Sequence, residues 1–202
     1  MTSHDAAAQK PSNFNVPNVL TTVRILLVPV FLYVLLAHDG LDPVWRLWAL
    51  IVFLLAMITD KIDGDIARRH NLITDFGKIA DPIADKALMS AALLGLWWIG
   101  VLPIWIPVII LIREFGITIL RLVIVKRIVL PASKGGKLKT VLQTVALALF
   151  IAIAPLHAVL PAIVTFWLVI FAWVVLTAAV IVTIVTGVDY LVQVYKRLKV
   201  TP

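Results

Sequence analysis

The sequence predicts an all-α, polytopic membrane protein with six transmembrane helices and both termini cytoplasmic, and three observations lead there. First, 62% of the 202 residues are apolar and only 14% are charged, against roughly 45–50% and 25% in a soluble domain. A water-soluble globule of this size buries only about two-thirds of the surface its unfolded chain exposes, so lipid must solvate much of the rest. Second, the apolar residues fall into six long runs. Third, nearly all of the 18 Lys and Arg residues lie on one side of those runs. The chain has no cysteine, which excludes thiol catalysis and thiolate metal sites. Its net charge of +7 suits anionic membrane lipids and orientation in a bilayer, so nucleic acid is not an expected partner.

Met1 to Pro17 is polar, contains Pro11 and Pro17, and has no apolar run. It reads as an N-terminal tail (1–17) rather than a secretory signal, followed by one membrane domain over 18–202. Pro17 and Asn18 mark the first helix start, with Asn18 or the pair Thr21 and Thr22 as alternative caps. The runs are Val19–Ala37, Trp45–Thr59, Ala84–Val101, Ile104–Val125, Leu138–Leu156 and Ala162–Thr186. A helix needs about 20 apolar residues to cross hydrocarbon, or fewer when neighbours or water cover its ends. Gly100 to Pro103 and Pro155 to Pro161 read as tight connections that make their flanking helices antiparallel. Beyond Gly187 the last helix turns polar and ends on Tyr195, Lys196, Arg197 and Lys199. With cytoplasmic termini the outer loops begin at His38, Gly100 and Leu156, and Arg46 alone among the Lys and Arg residues lies near one. That asymmetry is the positive-inside signal.

Ionisable groups in or beside spans are costly and mark candidate sites. Six of the eleven acids fall between Asp60 and Asp85. Asp60 and Asp63 share a helical face at the end of the second span, as do Asp81 and Asp85 at the start of the third. Two such pairs on adjacent antiparallel helices can converge on one point. Four converging carboxylates would repel each other and take up protons unless divalent cations neutralise them. An oxygen-only donor set suits Mg²⁺ or Mn²⁺, ions that are usually held by a few carboxylates plus the phosphates of a substrate. Gly64 and Ala67 leave room for a diphosphate against the helix backbone. Arg68 offers a planar fork to phosphate oxygens, and Gly77 keeps the approach to Asp81 open.

Asp60, Asp63, Gly64, Ala67, Arg68, Gly77, Asp81 and Asp85 spell DxxDGxxAR, eight residues, then GxxxDxxxD. This pattern resembles the signature of the CDP-alcohol phosphotransferase family in full; eight matched positions arise by chance about once in 10¹⁰ starting points. NVPNVLTTVRILLVP from Asn15, IREFGITILR from Ile112 and GGKLKTVLQ from Gly135 are similar to the bacterial branch of that family that uses glycerol 3-phosphate. The resemblance implies a six-span homodimer in the bacterial inner membrane, its active site facing the cytoplasm. It implies transfer of a phosphatidyl group from CDP-diacylglycerol to glycerol 3-phosphate with two divalent cations. Asp60 and Asp81 would touch both metals, Asp63 would complete the first site, and Asp85 would complete the second and act as general base. Gly64, Ala67, Arg68, Thr74 and Gly77 would contact CDP-diacylglycerol together with Asn18 and Thr21, with Arg24 one turn further in.

Arg113 and Glu114 lie inside the fourth run, as a structural pair or with the arginine on the acceptor's phosphate. Lys137, Lys139 and Thr140, with Gln143 a turn later, offer a second phosphate cluster or a positive-inside loop. Arg121, Lys126, Arg127 and Lys134 read as anchors. Inositol 1-phosphate or phosphatidylglycerol as acceptor would leave the metal site unchanged, and a divalent-cation transporter is the alternative from another class. The acids cluster at one surface instead of continuing across the bilayer, which argues against transport.

Overall fold

The computed structural model describes residues 15–69, 74–124 and 134–200. They form six α-helices, α1 (Val16–Leu36), α2 (Pro43–Arg69), α3 (Asp75–Trp98), α4 (Trp105–Ile124), α5 (Lys134–His157) and α6 (Ala162–Val200), with a short 3-10 turn at Ala37–Gly40. No strand occurs among the described residues. Four stretches are long and apolar enough to cross a membrane: Val16–Gly40, Pro43–Asp60, Gly135–His157 and Ala162–Arg197. Helices α3 and α4 are of similar length but carry Asp81, Asp85 and Lys86, and Arg113, Glu114 and Arg121.

The first helix starts earlier than expected. Asn15 is its cap, accepting from the Asn18 amide at 3.0 Å, and Pro17 occupies the first turn, where a missing N–H costs nothing. Asn18 is thereby released to face the interior. At the opposite end His38, Asp39 and Gly40 all have positive φ. A Cβ on Gly40 would come within 2.8 Å of Ile99, so only glycine fits that bend. Asp42 then caps α2, accepting from Val44 and Trp45. Helix α3 stops at a Schellman motif: Gly100, at φ 74, donates to Trp97, and Val101 donates to Leu96.

Pro155 differs from expectation: it lies inside α5 instead of in the connection to α6. A helical proline strips the carbonyl four residues back of its donor, here that of Ile151. Arg46, buried to 3% exposure, supplies the replacement, with Nε 3.4 Å from Ile151 O and Nη2 donating to Phe150 O at 2.6 Å. The one Lys or Arg residue near an outer loop is thus a helix clip. Arg46→Met leaves the Ile151 carbonyl without a donor and is expected to cost about 1–3 kcal/mol, read as a lower thermal midpoint in detergent; an unchanged midpoint would refute the clip.

Helices α5 and α6 pair, α1 lies against α2 and α3, α2 reaches α5, and α4 packs on α6 and α3. Phe31, Phe53, Leu88, Leu96, Leu147, Ile151 and Leu176 fill the centre. Outside, Trp98, Ile112, Leu122 and Val123 are about 70% exposed, an apolar surface that lipid and not water would solvate. The protein is a membrane protein. At 39 residues α6 is about 58 Å long, nearly twice the hydrocarbon thickness, so it carries its basic end well beyond the span.

Candidate active site

The motif aspartates sit on helix, as their spacing requires. Helix α2 runs ten residues past the second apolar run, carrying Asp60 and Asp63, and α3 begins nine before the third, carrying Asp81 and Asp85. Asp60, Asp81 and Asp85 line a single cavity of about 560 Å³, together with Lys86, Arg113, Glu114 and Arg121. Acidic groups from α2 and α3 therefore share one space with basic groups from α3 and α4.

Helix α1 holds the acidic side in place. Asn18, Thr21 and Arg24 are three apart, share one face and are each at most 4% exposed. Arg24 forms an ion pair with Asp60 on α2. The Thr21 hydroxyl donates to Asp81 Oδ1 on α3 at 2.5 Å and lies 3.0 Å from the Pro17 carbonyl. Asn18 Oδ1 accepts from the Thr74 hydroxyl at 2.9 Å, and Thr74 caps α3 by accepting from the Gly77 amide at 3.0 Å. A Cβ on Gly77 would lie 3.0 Å from Asn18 Oδ1, so the space left by that glycine is taken by α1. One helix face thus registers α2 and α3 against each other.

The basic side is a second network. Glu114 Oε1 accepts from Arg113 Nη1 at 3.1 Å and pairs with Lys139. Lys139 is buried, whereas Lys137 is exposed. Lys139, Thr140 and Gln143 line a small cavity of about 20 Å³ with Asp85, Lys86 and Ser90, room for a single water. Lys86 also donates to the Thr118 hydroxyl, tying α3 to α4.

The donor chemistry fits hard divalent cations: Asp60, Asp81 and Asp85 offer only oxygen and line one water-accessible space. Among the described residues no three acidic or imidazole groups close into a ready cation cage. Asp63, Gly64, Ala67 and Arg68 fall in the last turns of α2, but their side-chain surroundings lie outside the described residues.

Comparison with known proteins decides the family. The profile of the CDP-alcohol phosphatidyltransferase family matches residues 14–185. The chain belongs to that family. It is 44% identical over 184 residues to a probable phosphatidylglycerophosphate synthase of Mycobacterium tuberculosis, covering 90% of this chain and 82% of that one. It is 41% identical over 148 residues to the CDP-diacylglycerol–glycerol-3-phosphate 3-phosphatidyltransferase of Bacillus subtilis, covering 68% and 77%. A CMP-forming cardiolipin synthase of Streptomyces coelicolor is 38% identical over 99 residues, covering 49% of this chain and 46% of that one.

In this CDP-alcohol phosphatidyltransferase several cavity residues were not expected from sequence. Arg121 reads as an anchor, yet it lines the large cavity and sets its guanidinium 5.7 Å from the Tyr190 ring centre. Lys86 lines both cavities. Each is a charge inside an apolar run, the same signal that singled out Arg113 and Glu114. Lys126 and Arg127 lie outside the described residues, as does the side chain of Lys134.

Proposed function

We propose that this protein transfers the phosphatidyl group of CDP-diacylglycerol to glycerol 3-phosphate, giving phosphatidylglycerophosphate and CMP. The observation that carries the reading is the pairing, in one cavity, of three carboxylates from α2 and α3 with Lys86, Arg113 and Arg121. An acidic side for cation-bound diphosphate and a basic side for a second phosphate suit transfer between two anionic substrates. The choice of glycerol 3-phosphate follows the relatives so named.

Two divalent cations, Mg²⁺ or Mn²⁺, bound by Asp60, Asp63, Asp81 and Asp85, would neutralise the diphosphate and the charge that develops on departing CMP. Asp85 takes the proton from the primary hydroxyl of the acceptor. The freed oxygen attacks the lipid-side phosphorus, and the bond from that phosphorus to the CMP oxygen breaks. Arg68 grips the diphosphate, and Asn18, Thr21, Gly64, Ala67, Thr74 and Gly77 form the CDP-diacylglycerol side. Arg113, Lys139 and Thr140 hold the acceptor's phosphate for in-line attack, and Lys137, exposed on α5, adds positive charge that draws the anionic acceptor in.

Six spans follow if α3 and α4 also cross, their charges gathered toward the cytoplasmic face of the inner membrane with both termini. The protein acts there as a homodimer, drawing CDP-diacylglycerol from the surrounding lipid. The test is a purified-enzyme assay with Mg²⁺ and CDP-diacylglycerol, offering each acceptor separately. CMP and phosphatidylglycerophosphate are expected with glycerol 3-phosphate. Robust transfer to inositol 1-phosphate or phosphatidylglycerol with none to glycerol 3-phosphate would overturn the acceptor, and metal flux without CMP release would favour a transporter.

A further inference from the structure

The acceptor side has a support on α6 that lies outside the family signature. Arg113 sits in mid-α4, a helix that packs on α6 and α3. Its Nη2 donates to Thr186 Oγ1 at 3.1 Å, and its stem lies against Gly187, where a Cβ would stand 3.2 Å from Arg113 Cγ. The Thr186 hydroxyl spends its own proton on the Val182 carbonyl one turn back, at 2.7 Å. With that bond made, the hydroxyl can offer Arg113 only a lone pair, so its orientation is fixed by α6 itself. The methyl of Thr186 does separate work: a Cβ on Gly135 would lie 2.7 Å from Thr186 Cγ2. The first turn of α5, the helix that carries Lys139 and Thr140, is therefore seated on the same residue.

We propose that Thr186 is a positioning residue that sets the Arg113 guanidinium relative to the start of α5, and so fixes the geometry of the acceptor-phosphate site; Gly187 is the floor that lets Arg113 lie flat. This rests on the acceptor reading above. Glu114 holds the guanidinium on one nitrogen and Thr186 on another, which fixes its plane at the cavity that Arg113 lines. The side-chain hydrogen bonds of Arg113 go to Glu114 and Thr186, on the basic side of the cavity, so the effect of disturbing them falls on one substrate.

Thr186→Val keeps the shape and removes the lone pair. It is expected to raise KM for glycerol 3-phosphate by about 10–150-fold, the scale of one lost hydrogen bond to a charged group, with KM for CDP-diacylglycerol unchanged and kcat altered less than about twofold. Thr186→Ser keeps the hydroxyl that holds Arg113 and gives up only the methyl beside Gly135, and should stay within about threefold of wild type. Equal KM rises for both substrates, or a serine variant as poor as the valine one, would reduce Thr186 to a packing role and overturn the proposal. Should Thr186→Val fail to fold, Gly187→Ala tests the same seat by lifting the Arg113 stem, with the same one-sided KM rise expected and a symmetrical one refuting it. Arg113→Lys separates the two levels: if it leaves KM for glycerol 3-phosphate unchanged, the acceptor reading itself falls. If it raises that KM while Thr186→Val does not, the positioning role alone falls.

Discussion

Asp85→Asn is expected to lower kcat by about 10²–10⁴-fold, the range of a lost general base, while CDP-diacylglycerol binding persists. The amide copies the shape of the carboxylate but cannot take the acceptor's proton. Among the described residues Asp85 is the one aspartate that lines both the large cavity, with Asp60 and Asp81, and the small one, with Lys139, Thr140 and Gln143. It stands where the acidic and basic networks meet, the place a base must occupy to act between donor and acceptor. CMP release under saturating substrates reads the chemical step, and binding of a labelled CDP-lipid reads the ground state. Activity within threefold of wild type would remove Asp85 from the role of base.

The acidic side was legible in the sequence because its signal is local. Aspartates at helical spacing beside apolar runs need only the continuation of α2 and α3 past the apolar runs to approach one another; both helices continue, and Asp60, Asp81 and Asp85 line one cavity. Helical geometry also held a distinction that the sequence reading passed over. At about 100° per residue, Lys139, Thr140 and Gln143 share a face while Lys137 points nearly opposite to Lys139, and α5 indeed buries Lys139 and exposes Lys137. What could not be read was whatever depends on a distant partner. Pro155 looks like a loop residue until Arg46, more than a hundred positions away, is found on the carbonyl it frees. Thr186 is an ordinary hydroxyl at the end of an apolar run, and only the approach of Arg113 gives it meaning. Asn18 and Thr21 were visible as polar residues at a helix start, but their bonds to Thr74 and toward Asp81 depend on where α3 lies.

Asp60→Asn should damage both activity and stability, which separates it from Asp85→Asn. The Arg24 side chain is 1% exposed and that of Asp60 37%, so the substitution leaves a buried guanidinium facing a neutral amide. Breaking a fully buried pair costs about 3–5 kcal/mol. Because solvent reaches one partner here, a cost of about 1–3 kcal/mol is expected, together with loss of more than about 100-fold in kcat from the missing carboxylate. The two effects can be uncoupled by adding Arg24→Met. Replacing both members of a buried pair by neutral side chains is often neutral or stabilising, so the double variant should recover most of the thermal midpoint in detergent while remaining inactive. A double variant as unstable as Asp60→Asn would mean that the pair does not hold α1 against α2. Recovered transfer would mean that Asp60 serves Arg24 rather than the reacting diphosphate, and the acidic side would then have to do its chemistry with the remaining three aspartates.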